Sequence, residues 1–251
     1  MNQTLTTVAR GTKVSLWSFR LAIAGVLLVV AGLLGGSGTL PPLTAMLLIT
    51  LGFLAMIVGG ICGVTGLLRS GGTGGDTLAA LPWLATLLGA VALVNTGIYM
   101  SSGGGPAIHD ISTDTADPPA FIAVAELRGP DDNPIEYAGA ETAALQASAY
   151  PDIQTLVFLD TPAVVFDEAL ATAASMGWEI IASDIDTGRI EATATTPFVG
   201  FKDDVVIRVR AKDDQTLVDI RSKSRFGKGD MGVNAKRIRE YRDKLLAEVN
   251  G

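Results

Sequence analysis

At 251 residues and a mean hydropathy of +0.38, the chain is too apolar to consist only of soluble domains. A net charge of −7 argues against nucleic acid as a partner. One histidine and one cysteine exclude a zinc site built from several imidazole or thiolate ligands, and no metal or cofactor is expected.

The apolar excess sits at the front. Residues 16–36, 43–68 and 78–100 are nearly free of charge, and each is long enough for a helix to cross ~30 Å of hydrocarbon. Arg20 interrupts only the leading edge of the first, where its long side chain reaches the headgroups. Arg10 and Lys13 precede this stretch as in a signal peptide, but Gly35-Gly36-Ser37-Gly38 is a poor cleavage site, so an uncleaved span is expected. Arg10, Lys13 and Arg20 come before the first span and Arg69 follows the second, whereas the loop from Gly35 to Pro42 has no Lys or Arg. By the positive-inside rule residues 1–15 are cytoplasmic, 16–105 form a three-helix membrane region, and 106–251 lie outside. For a bacterium this means an inner-membrane protein with a periplasmic domain; in a plastid the domain faces a lumen. The lipid bilayer is then the first partner. Cys62 falls inside the second span, so the outer domain has no disulfide to form.

Ala55, Gly59 and Gly63 recur every four residues in the second span, a small-residue stripe suited to close helix contact or to other membrane subunits. Gly32 and Gly36 form a weaker pair, and Asn95 is placed for an interhelical hydrogen bond. Gly71 to Gly75 reads as a turn and Ser101 to Pro106 as a hinge. From Ile108 to about Pro151 the proline and glycine pairs break both helix and strand, with one edge strand expected at Ala120 to Val124.

Beyond Pro151 the pattern is regular. A short run at Thr155 to Leu159 precedes a helix opened by Thr161-Pro162 and closed by Gly177, with Val164, Ala169 or Leu170, Ala173 and Met176 on its inner stripe. Strands are predicted at Trp178 to Ser183, Arg189 to Thr195, Asp204 to Arg210 and Leu217 to Arg221. A final helix carries Ala235, Ile238, Leu245 and Val249 on one face. The predicted fold class is α+β: membrane helices, then an antiparallel sheet with helices covering one side.

From Ser101 to Gly251 there are 15 Lys and Arg against 25 Asp and Glu, yet Arg221 to Lys244 holds nine basic residues against three acidic. Such a segment pairs internally or faces an anion, such as a phospholipid headgroup or a phosphate-like ligand. The residues expected to bind one are Arg221, Ser222, Ser224, Arg225, Asn234 and Arg237, around a strand-to-helix junction. Gly227-x-Gly229-x-x-Gly232 matches the dinucleotide fingerprint, but too little chain follows for a second strand and its ribose-binding acid. Backbone amides at the helix start can still take an anion, or Asp230 or Asn234 simply caps it. The only histidine, in His109-Asp110, is a weak catalytic candidate with Ser222 or Ser224 as nucleophile; no nucleophile-elbow spacing surrounds either serine. Asp184-x-Asp186-x-Gly188 opens like a calcium loop but has Thr195 where a bidentate Glu is required, so a hairpin turn is expected.

Several ordered stretches carry a resemblance. They are Ile108 to Asp114, Gly177-Trp178-Glu179-Ile180, Arg189-Ile190-Glu191-Ala192, Phe201 to Val205, Asp219 to Arg225 and Gly232 to Ile238. Together the chain over roughly residues 106–247 closely resembles the domain-of-unknown-function family DUF1499, found in many bacteria and in photosynthetic lineages. The resemblance implies no established activity, and it implies membrane spans ahead of the domain. Gly229 and Met231 depart from the Ser and Leu common in that stretch, which makes the middle glycine of the fingerprint incidental. The leading expectation is a non-enzymatic membrane protein whose outer domain binds a partner or an anionic ligand. The alternatives are a tethered hydrolase using His109 and Asp110, and a scaffold acting through its membrane helices.

Overall fold

A computed structural model describes residues 2–36, 38–70, 84–94 and 105–249. The chain divides into two compact units, Met1–Ser102 with Pro197–Gly200 and Gly103–Thr196 with Phe201–Gly251.

In the first unit, α1 (Asn2–Gly36) and α2 (Pro42–Ser70) form an antiparallel pair. Their windows Leu16–Gly36 and Pro42–Thr65 are long and apolar enough to cross a membrane, by length and composition. Among the described residues two helices, not the expected three, are long and apolar enough to cross a membrane; of the third predicted span only Leu84–Val94 is described, as an apolar helix, α3. The rest of that stretch, with Asn95 and most of the predicted hinge, lies outside the described residues, as does the turn from Gly71 to Gly75.

Small residues set the α1–α2 seam. Gly59 faces Ser18 and Ala22, Gly52 faces Gly25, and Ala45 faces Gly32, so both helices repeat every seven residues. A Cβ added at Gly25 would lie 2.5 Å from the Gly52 carbonyl oxygen, and one at Gly52 would lie 2.6 Å from that of Gly25. The backbones touch, which is how helices lacking a hydrophobic drive between them gain contact. Gly60 meets α3 at Gly89 in the same way. Gly59 and Gly63 of the predicted stripe are buried, whereas Ala55 is only half-buried beside the seam.

The second unit is an α+β domain. Its strands are β1 (Asp110–Ser112), β2 (Leu156–Phe158), β3 (Glu179–Asp184), β4 (Arg189–Thr195), β5 (Lys202–Lys212) and β6 (Gln215–Ser224), and its helices are α4 (Ala140–Ala149), α5 (Pro162–Ser175) and α6 (Val233–Val249). All pairings are antiparallel in the order β1-β6-β5-β4-β3. β1 and β2 share the outer edge of β6, at Arg221 to Lys223 and at Thr216 to Val218 respectively.

Strand alternation sorts the side chains onto two faces. Ile190, Ala192, Val205, Ile207, Val209, Val218 and Ile220 turn toward α5 and α6, meeting Val165, Phe166, Ala169, Ile238, Tyr241 and Leu245 in the main core. Trp178 stacks on Tyr241 with ring centroids 5.3 Å apart. Each Val, Ile, Leu or Phe among them contributes about 1.5–3 kcal/mol of burial. Pro162 starts α5, its fixed φ suiting the first turn, and Gly177 at φ 73° ends it. Val164, expected on the inner stripe, is exposed; Val165 and Phe166 take that side.

On the other face Glu191, Thr193, Asp204, Asp219, Arg221 and Lys223 are also buried. Their cover is residues 113–138, which are mostly irregular and contribute a small apolar cluster of Phe121 and Val124 against Val206. The expected edge strand at Ala120 to Val124 does not form. Ala123–Leu127 is a 3-10 turn, because the Glu191 carboxylate accepts hydrogen bonds from the Ile122 and Val124 amides and draws the backbone out of strand geometry. The stretch read as irregular, Ile108 to Pro151, also contains β1 and α4.

Candidate functional site

Alternation along β6 decides where the expected ligand residues point. Arg221 and, just beyond the strand, Arg225 lie on the face covered by residues 113–138, whereas Ser222 and Ser224 face α6. The set of Arg221, Ser222, Ser224, Arg225, Asn234 and Arg237 is therefore brought together in two groups on opposite sides of one sheet.

On the helix side, Asn234 is fully buried. Its Nδ2 donates to Ser224 Oγ at 2.9 Å and to the His109 carbonyl, and its Oδ1 accepts from Ser222 Oγ and from Arg237 Nη1, both at 2.6 Å. The other Arg237 nitrogen, Nη2, donates to Asp203. This network pins the first turn of α6 to β1, β5 and β6.

On the other side, Asp110 receives Arg221 through Nε and Nη2, each at 2.8 Å, and Lys223 Nζ at 2.8 Å. A carboxylate meeting a guanidinium through two parallel bonds is the strongest common ion-pair geometry. The remaining donors of Arg221 reach the Pro119 and Ile135 carbonyls, and Lys223 reaches that of Glu136. The Arg221 guanidinium also lies over the Phe121 and Tyr137 rings. Asp204 binds Arg225 and Arg128, and Asp219 binds Arg208 and Arg210 with help from Asp114. Cations outnumber carboxylates by one around Asp110 and by one around Asp204. Burial pushes Lys223 below its ordinary pKa against the pull of Asp110. Burial, reinforced by Asp110, pushes Tyr137 up to about 12. Among the described residues, Arg128 Nη2 and Tyr137 Oη are buried without a hydrogen-bond partner.

His109, Ser222 and Asp110 each have other partners. The His109 Nδ1–H donates to the Lys228 carbonyl at 3.3 Å, Ser222 Oγ gives its proton to Asn234, and the Asp110 carboxylate is held by Arg221 and Lys223. The helix start at Gly232 is likewise taken: Asp230 accepts from the Gly232 and Asn234 amides, so a carboxylate of the chain sits where an anion would. Gly227 and Gly232 have φ of 92° and 82°, the backbone of turns rather than a phosphate cradle. Asp184 accepts from the Asp186 and Thr187 amides and so closes its own hairpin turn.

Among the described residues a shallow recess of ≈ 110 Å³ is lined by Ala107, Ile108, His109, Asp110, Ala138, Thr142 and Lys228. It adjoins the Asp110 cluster. Lys228 belongs to the basic segment and glycine motif read from the sequence, whereas Thr142 carries no motif; only the fold brings α4 and the β6–α6 loop to β1.

Residues 110–245, more than half of the chain, match the model of a family described as Protein of unknown function (DUF1499). The chain belongs to the DUF1499 family. The match runs from the first residue of β1 to the last buried leucine of α6, so the DUF1499 region coincides with the sheet, both its faces and the segment that covers it. No curated protein matches the chain.

Proposed function

We propose that the protein is a membrane-tethered, non-enzymatic binding module, held in a bacterial inner membrane with its amino terminus cytoplasmic and its DUF1499 domain in the periplasm. The two long apolar helices and the distribution of Arg10, Lys13, Arg20 and Arg69 support the tether and its orientation. The ligand is a small phosphate-like anion or a carboxylate presented by a partner. The observation that carries this reading is the recess beside His109, Thr142 and Lys228, next to a buried cluster in which Arg221 and Lys223 share the single carboxylate of Asp110. In this reading Arg221 supplies fixed positive potential behind the site, and Lys228 supplies the exposed contact.

The test is isothermal titration of the full-length protein in detergent with inorganic phosphate, alongside Lys228→Ala and His109→Ala. Binding that weakens in both variants and with added salt is expected. Equal binding by the wild type and both variants, or none by the wild type, would overturn the assignment of the recess.

A further inference from the structure

Among the described residues the sheet has three edge strands, β1, β2 and β3, and two of these edges are closed. On β1 the Gln146 side chain accepts from the Ser112 amide at 3.0 Å and donates to the Ser112 carbonyl at 2.6 Å, taking the groups a further strand would need. On β3 the pairing with β4 slips between Ile180 and Ala182, and the strand carries Glu179 at its start and Asp184 at its end. A bulge and edge charges are means by which proteins keep an edge from pairing. A second β3 laid antiparallel on the first would set Glu179 against Asp184 at both ends, like charge against like.

β2 lacks every such device. It pairs with β6 along one side, and among the described residues the backbone of 155–159 makes no hydrogen bond other than those to β6. The run Thr155-Leu156-Val157-Phe158-Leu159 holds no charge, proline or glycine and consists largely of strand-favouring side chains. Leu156 and Phe158 turn into the main core, whereas Val157 (52% exposed) and Leu159 (84%) are bare. Ile185, Phe226 and Met231 are exposed as well, but they sit in turns and bends, and single apolar residues there need no explanation. An uncharged apolar strand with a free edge does, because it is a template for another strand.

The character of the run selects its occupant. With no charge of its own, it offers a charged partner strand nothing to recognise. Its complement is another uncharged apolar strand, and the chain carries one in β2 itself. We infer that β2 pairs antiparallel with β2 of a second copy of this chain, about a twofold axis at Val157, joining two sheets edge to edge. An isologous contact of this kind requires a self-complementary surface, and the run supplies one. Leu156 faces Phe158 of the second copy, Thr155 faces Leu159, and Gln154 faces Asp160, the same on both sides of the axis. The two Asp160 carboxylates lie roughly 20 Å apart along the strands, beyond the screening length of about 8 Å at physiological salt. Val157 meets itself on the axis and Leu159 is covered by Thr155, so the bare side chains are those that pairing covers. The inference is independent of the recess and of its ligand.

The experiment uses the full-length protein in detergent, with Cys62→Ala as background. Single cysteines are placed by Val157→Cys, Leu159→Cys and, on the β3 edge, Ser183→Cys, all at exposed positions. Disulfide-linked dimer is read on a non-reducing gel after mild oxidation. On the axis the two copies of residue 157 have Cα atoms about 4.5–5.5 Å apart, within disulfide reach. The two copies of residue 159 are about 14 Å apart and out of reach. Val157→Cys should therefore give several-fold more linked dimer than either of the others. Equal linking at all three, none at 157, or most at 183 would overturn the pairing. Sedimentation of the wild type, which carries no cysteine at the edge, should show dimer forming as concentration rises. Val157→Lys, which sets two ammonium groups together on the axis, should raise the midpoint tenfold or more with unchanged thermal unfolding. A wild type monomeric throughout would leave the edge to another occupant and overturn the self-pairing. A dimer unmoved by Val157→Lys would place the contact elsewhere and overturn it too.

Discussion

The two faces of the DUF1499 sheet are buried by different physics. Under α5 and α6 the alternating strand positions are mostly Ile, Val and Ala, and outside the Ser222–Ser224–Asn234–Arg237 network at the first turn of α6 the interaction is non-directional. Under residues 113–138 the same strands present Glu191, Asp204, Asp219, Arg221 and Lys223, each requiring partners at defined distances. An irregular segment can cover such a face because its carbonyls and amides are the partners: Pro119, Leu127, Ile135 and Glu136 all accept from buried cations. A regular strand would already have committed those groups to a ladder. The difference teaches that the basic segment of this acidic domain is largely interior, and that its specificity is directed at its own chain.

The sharpest way to break the ionic face is Asp110→Asn. It leaves Arg221 and Lys223 buried around a neutral amide, and a loss of about 3–5 kcal/mol is expected. Denaturant-dependent hydrogen exchange of β5 and β6 amides measures it. On the apolar face, Ile207→Ala should cost about 2–5 kcal/mol through lost burial and the cavity left behind. The contrast between the two faces is sharpened by repeating both in high salt, where the Ile207→Ala difference should hold steady. Gln146→Ala is smaller. The Gln146 side chain accepts from the Ser112 amide and donates to its carbonyl, closing the outer edge of β1, and its loss leaves both groups unsatisfied at about 1–3 kcal/mol.

The smallest effect lies outside both faces. Arg239, chiefly through its hydrogen bonds, holds the Asp152 carboxyl down at about 2, below its ordinary 3.8. A depressed carboxylate contributes stability that is present above 3.8 and lost as pH falls through about 2. Arg239→Ala should therefore flatten the acid limb of a pH titration monitored at α6, with a modest amplitude because the pair is partly exposed.

The main elements of the domain were legible because period and punctuation agree. β4 matches its predicted bounds, Pro162 and Gly177 bracket α5, and β5 and β6 are only longer than read. Three features escaped for separate reasons. α4 is alanine-rich and buries only Gln146, so it has no apolar stripe to detect. β1 is three residues long and is held by its neighbour β6, not by its own pattern. The ionic face was invisible because alternation marks Glu191 and Thr193 as facing away from the core without saying whether water or chain lies there. For the same reason Arg221 and Ser222 looked like one site, although adjacent strand residues point to opposite faces. In the first unit the length of the two long apolar helices was legible. The seven-residue seam through Gly52 and Gly25 was not, because it needs both helices in register.

Hydrogen exchange across the domain in Asp110→Asn tests the division of the sheet most directly. Amides of residues 113–138 should lose protection first and by the largest factor, while α5 and the inner turns of α6 hold theirs until the whole sheet opens. Uniform loss across both faces, or unchanged protection of residues 113–138, would contradict an ionic face in which the Asp110 carboxylate holds the covering segment in place.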